Sequence, residues 1–120
     1  MRKGQRSPKT WVEPDAEVPA FAPQMSAFAQ RVLDLVDAIP AGKVLAYGDI
    51  AEYLGEGGPR QVGSVMSTWG GAVPWHRVVH ADGTPAPSHD GEVLRLLRAD
   101  ATPMRGDRVD MRQARWNPDS

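Results

Sequence analysis

The segment Gly55-Glu56-Gly57-Gly58-Pro59 constrains this chain more than any other. Its glycines can take the positive φ that closes a tight turn. Pro59 suits the first position of a helix, where the missing N–H leaves no bond unmade. On the near side, Gly48-Asp49 opens a short amphipathic stretch, with Asp49 as its cap and Ile50, Ala51 and Leu54 facing inward. On the far side the pattern runs from Pro59 to about Thr68, burying Val62, Val65 and Met66. Two short helices joined by a glycine turn make a helix-turn-helix unit.

The flanking sequence supplies the rest of a small domain. From Ser26, a plausible N-cap, the apolar residues Phe28, Val32, Leu35, Val36 and Ile39 recur at helical spacing until Pro40-Ala41-Gly42 stops them. Lys43 to Tyr47 reads as a short extended piece, and Trp69 to Pro74 as a loop. His80-Ala81-Asp82-Gly83 looks like a turn. Asp90-Gly91 precedes a helix using Val93, Leu94, Leu96 and Leu97, and Val109 to Trp116 alternates weakly, as an edge strand or wing would. The expected fold is mainly α, a winged helix-turn-helix domain with short strands, over residues 25–117. Residues 1–24 hold Pro8, Pro14, Pro19 and Pro23 together with Arg2, Lys3, Arg6 and Lys9. They read as a flexible, Pro-rich basic lead-in.

Composition excludes some chemistries. The chain has 120 residues and no cysteine, so disulfides and thiolate metal sites are out. His76, His80 and His89 give no shared helical face for a metal, and neither a metal nor a cofactor is expected. No apolar run reaches membrane-spanning length and no signal-peptide core follows the basic start, so a cytoplasmic protein is expected, with a monomer as the separate expectation for its assembly. The formal net charge of -1 counts against nucleic-acid binding. Basic residues are nevertheless uneven, crowding residues 2–9 and again Arg105, Arg108, Arg112 and Arg115.

Three ordered blocks carry a resemblance. They are Ile39-Pro40-x-Gly42-Lys43-Val44-x-x-Tyr47-Gly48-x-Ile50-Ala51, then Arg60-Gln61-Val62-Gly63-x-x-Met66, then Pro74-Trp75-His76-Arg77-Val78-Val79. Over roughly residues 25–100 the chain resembles the DNA-binding domain of O6-alkylguanine-DNA alkyltransferases. Tryptophan stands where the family's nucleophilic cysteine would be. Alkyl transfer needs a thiolate, and an indole offers no comparable lone pair. The chain is therefore most similar to the alkyltransferase-like proteins, cysteine-less relatives of those enzymes. That resemblance implies a non-enzymatic protein that binds double-stranded DNA containing O6-alkylguanine, flips the damaged base out, and flags it for nucleotide excision repair proteins. A nucleoid-associated cytoplasmic location follows from it.

By the same resemblance, Tyr47 rotates the target nucleotide and Arg60 fills the vacated stack, a task that suits a planar guanidinium. The plain alternatives are a half-buried tyrosine at a strand–helix junction and a solvated helix-start arginine. Gly63 and Ser64 would let the second helix enter the minor groove. A mid-helix glycine costs about 1 kcal/mol relative to alanine, and close packing on the preceding helix would explain Gly63 equally well. Trp75, Val78, Val79 and Ser88 would line the alkylbase pocket. Pro74, His76, Arg77 and Asp100 would be a structural remnant of the active site, with His76 and Asp100 as a hydrogen-bonded pair and Arg77 pinning nearby backbone. Two rival readings are a winged-helix DNA-binding or regulatory protein without damage specificity, and a hydrolase or transferase using His76 and Asp100 with Ser64 or Ser88 as nucleophile.

Overall fold

The computed structural model describes residues 25–120, and the lead-in expected over residues 1–24 lies outside them. Helix α1 spans Ala27–Ala38, and the Ser26 hydroxyl caps it by accepting the Ala29 N–H at 3.0 Å. Its buried seam is Ala29, Val32, Leu33 and Val36, an i, i+3, i+4, i+7 stripe. Phe28 and Leu35 flank this seam, only partly buried.

Strand β1, Leu45–Ala46, runs directly into helix α2, Tyr47–Leu54. The helix begins three residues earlier than a cap at Asp49 would place it, so Asp49 is its third residue and not its N-cap. Ala46 holds the cap position in extended backbone and has no acceptor of its own. Asp49 supplies one from inside the first turn, its Oδ2 accepting the Ala46 N–H at 2.9 Å. Helix α3 spans Pro59–Trp69 with Pro59 as its first residue. The turn between them needs its glycine at Gly57, where φ is +71° and a Cβ would lie 3.0 Å from the Phe28 ring. Opening the turn at this point lets α2 and α3 sit together on α1.

A 3₁₀ turn, Gly70–Ala72, lies within the loop expected over Trp69 to Pro74, and a second, Trp75–Arg77, follows it. Strand β2, Val78–Val79, pairs parallel with β1, placing Leu45 against Val78 and Ala46 against Val79. Alternation along these strands divides the interior. Leu45 and Val78 face the core formed with α1, α2 and α3. Val44 and Val79 face a second core that includes Val93 and Leu97 of helix α4, Glu92–Ala99. The β1–β2 pair is thus a wall with a packed core on each side.

The wing is a hairpin of β3, Met104–Arg105, and β4, Arg108–Val109. The segment expected as a strand over Val109 to Trp116 is mostly something else. After Val109 it forms one helical turn, α5, Met111–Ala114, capped by Asp110. It then returns to the wall, where Val44 N–H donates to Ala114 O at 2.9 Å and Trp116 N–H to Val44 O at 2.8 Å. Asp110 explains the difference, because a residue able to accept the Arg112 N–H starts a helical turn where the weak alternation would suggest a strand.

Gly83 fixes where the wing sits. Its carbonyl accepts the Val109 N–H at 2.9 Å, its φ is +90°, and an added Cβ would fall 2.2 Å from Val109 O. Gly83→Ala therefore combines backbone strain with a backbone clash, and should destabilise the domain by on the order of 3 kcal/mol or more. Gly71→Ala, whose Cβ meets no atom within 4 Å, should leave the thermal midpoint nearly unchanged. Circular-dichroism melts of the two variants make the comparison.

Candidate nucleic-acid interface

Gly63, Met66, Ser67 and Gly70 follow the i, i+3, i+4, i+7 spacing, a ridge of small and flexible residues along α3 and just past its end. This ridge forms one side of an open cleft of about 530 Å³. Tyr47, Trp75, Pro87 and Ser88 form other parts of its wall. Small residues on the α3 side keep the cleft wide, and the aromatic rings give it flat apolar surface.

Each residue singled out in the sequence has a definite place. Tyr47 is the first residue of α2 and half-buried; burial pushes its phenol above the ordinary tyrosine range. Its ring centroid lies 5.2 Å from that of His80. Trp75 opens the second 3₁₀ turn, with its ring edge-on to His76 at 6.1 Å. Gly63 lines the cleft, and a Cβ there would meet no atom within 4 Å. Packing against α2 therefore does not account for this glycine. Ser64 is exposed on α3 beside the cleft wall, where Ser67 takes the lining position. Arg60 is the exposed second residue of α3, outside the cleft lining.

Val78 and Val79 do not line the cleft, contrary to expectation. Both are wholly buried, one in each core, and their strand is paired with β1. Ser88 does line it, but its hydroxyl accepts the Val93 N–H at 2.9 Å and so serves the start of α4. Sequence reasoning passed over Met66, Ser67, Gly70 and Pro87. The first three carried a readable signal, since they share a helical face with Gly63. Pro87 carried none, because nothing local places an irregular loop opposite a helix.

Beneath Trp75 lies a cluster of hydrogen bonds. Asp100, the C-cap of α4, accepts from His76 Nε2 at 2.8 Å and from Arg77 Nε at 2.8 Å on the same oxygen. Its other oxygen accepts from Arg77 Nη2 at 3.2 Å. Arg77 Nη1 continues to the Ile39 carbonyl, at the C-cap of α1, at 2.8 Å. Pro74, which precedes the turn, accepts the Arg77 N–H at 3.0 Å. The three side chains of the cluster are between 10% and 19% exposed. The Arg77 hydrogen bond, aided by His76 and partly opposed by burial, holds the Asp100 carboxyl below the usual carboxylate range. With His76 donating to Asp100 and Ser88 committed to Val93, neither hydroxyl considered as a nucleophile is bonded to the histidine among the described residues.

A glycine-turned helix pair, a two-stranded wing and an aromatic cleft along the second helix define a winged helix-turn-helix domain of the DNA-binding class. The chain belongs to the family described as 6-O-methylguanine DNA methyltransferase, DNA binding domain, which matches residues 27–101. It is 37% identical over 97 residues to the DNA base-flipping protein of Escherichia coli K12, covering 76% of this chain and 75% of that one. Alkyltransferase-like protein 1 of Schizosaccharomyces pombe is 45% identical over 64 residues, 51% of this chain and 59% of that protein. Among solved structures, S. pombe Atl1 in complex with damaged DNA containing O6-carboxymethylguanine matches with a TM-score of 0.67 at 30% identity, covering 79% of this chain and 99% of that one.

The Asp100 geometry has a consequence for stability. A carboxyl whose folded pKa is depressed binds fewer protons folded than unfolded near acid pH, so its contribution is full above the unfolded value and lost as pH falls through the folded one. Asp100→Asn should cost about 2–3 kcal/mol at pH 7, because Arg77 and His76 lose a charged acceptor. It should also flatten the decline in wild-type stability below about pH 4. Urea unfolding of both proteins from pH 7 to pH 3 tests both effects.

Proposed function

We propose that this protein recognises O6-alkylguanine in double-stranded DNA by flipping the base into the cleft between α3, Tyr47 and Trp75, without chemical repair. One observation carries the reading above the others: a family member without any cysteine keeps an open, aromatic-lined cleft along its second helix. Relatives named for base flipping, and a similar protein solved with O6-carboxymethylguanine DNA, support it.

In this reading α3 enters the minor groove along its small ridge, where Gly63 and Ser64 allow close approach. Arg60, exposed at the start of that helix, fills the gap in the stack and donates to the orphaned pyrimidine. Tyr47 guides the nucleotide at the mouth of the cleft. Extrusion costs a few kcal/mol, less for a weakened pair, and this difference favours a mispaired alkylguanine. Trp75 then offers stacking surface, worth about 1–3 kcal/mol per base. His76, Arg77 and Asp100 hold the turn that carries Trp75. No group accepts the alkyl chain, so the complex persists as a flag for nucleotide excision repair proteins.

The test uses labelled duplexes with and without one O6-methylguanine. Wild-type protein should prefer the damaged duplex, and equal affinity for both at physiological salt would sink the proposal. Arg60→Ala and Tyr47→Ala should each weaken damaged-duplex binding by roughly tenfold, in line with 1–3 kcal/mol for a stacking contact. Arg60→Ala should melt close to wild type, and Tyr47→Ala, whose ring also packs on the first core, only a few degrees lower; a fall of many degrees would assign those residues to the fold instead.

A further inference from the structure

The wing hairpin has two unlike faces. Met104 pairs directly with Val109, and both pack on the second core. The next pair, Arg105 with Arg108, is exposed. Like charges directly opposite on an antiparallel pair are destabilising, so hairpin stability does not account for this choice. Arg112, in α5, lines the same surface groove as these two arginines, together with Ala81, Asp82 and Asp110.

The guanidinium groups are poorly matched inside the protein. Among the described residues Arg105 and Arg112 have no carboxylate within 4.0 Å, and Arg108 reaches only Asp82 at 3.7 Å, both side chains being exposed. The two carboxylates of the groove already accept hydrogen bonds from their own segments. Asp82 accepts the Thr84 N–H at 3.0 Å, while Asp110 accepts the Arg112 N–H at 3.1 Å and the Gln113 side chain at 2.9 Å. These bonds hold the fold, whereas Arg105 and Arg112 form no ion pair among the described residues and Arg108 only the long, exposed one to Asp82.

The groove adjoins the cleft through one short turn. His80, at its start, stands beside Tyr47 of the cleft wall. Ala81 and Asp82 line the groove, and Gly83 is bonded to Val109 of the wing. From this arrangement we infer that Arg105, Arg108 and Arg112 bind the phosphodiester backbone of the same duplex whose base enters the cleft. The inference rests on the reading of the cleft given above. An arginine fork matches phosphate oxygens, and contacts of this kind add affinity without reading sequence or damage. Continuity with the cleft selects a DNA backbone over an acidic protein segment.

The experiment compares wild type with the full chain carrying Arg105→Gln, Arg108→Gln and Arg112→Gln. Binding to damaged and undamaged duplexes is measured across a series of sodium chloride concentrations, with thermal melts alongside. Each lost phosphate contact removes about 0.9 from the slope of log affinity against log salt, so the triple variant should lose roughly 2–3 from that slope. Affinity for both duplexes should fall by a similar factor, leaving the preference for damage unchanged. The matching triple lysine variant should recover most of the slope, because charge rather than shape carries this term. A glutamine variant with the wild-type slope would overturn the inference, and so would a lysine variant that behaves like the glutamine one. Loss of damage preference in the wild type would defeat the cleft reading alone, because the slope comparison on undamaged duplex would still report on the arginines.

Discussion

The contact between Arg77 and Asp100 is the interaction on which the rest of the architecture depends. One carboxylate takes both nitrogen donors from His76 and Arg77, while the far end of the same guanidinium reaches the end of α1. Three segments distant in sequence are thereby fixed to one another: the end of the first helix, the turn bearing Trp75, and the end of α4. A planar fork is suited to this, since it donates in several directions from one rigid group. Lysine at position 77 would supply charge but could not span the carboxylate and the Ile39 carbonyl in the same way. The shortness of the surrounding strands makes such a tie necessary, because two residue pairs of β1–β2 cannot set the angle of so many helices.

That small parallel pair has a separate role in placing the aromatic groups. The strands run in the same direction and in register, so the residues just beyond their ends emerge side by side. Tyr47 follows β1 and His80 follows β2, and their rings accordingly meet. Because side chains alternate across a strand, the same pair gives one core to the helix-turn-helix and another to α4 and the wing. The cleft wall and the arginine groove are therefore both anchored to one central element.

Much of this was legible in the chain. Glycine and proline punctuation at residues 55–59 located the helix pair, and the apolar periodicities located α1 and α4. These signals are local, and the physics behind them acts within a few residues. The misses came where distant segments decide. The resemblance implies a place for Val78 and Val79 in the pocket, yet pairing with β1 turns them into the two cores. The tail from Val109 showed weak alternation, but the Asp110 cap and hydrogen bonds to Val44 decided its form. Ser88, by contrast, does lie in the cleft wall as the resemblance implies; what the chain does not reveal is that its hydroxyl also accepts the Val93 N–H at the start of α4.

Net charge misled for a related reason. A formal charge of -1 sums groups that never act together. Asp100 is matched by Arg77, and Asp49 accepts from Arg115 at 3.0 Å while also capping α2, so these ions contribute little to the field outside. Asp34 and Asp37 lie exposed on α1, whereas Arg60 is exposed at the start of α3, and Arg105, Arg108 and Arg112 gather at the wing. Fields at a surface fall off within about 8–10 Å at ordinary salt, so an approaching polyanion responds to the local set and not to the sum. A chain with a slight negative charge on paper can thus present cations near its cleft, provided the fold spends carboxylates on caps and internal pairs.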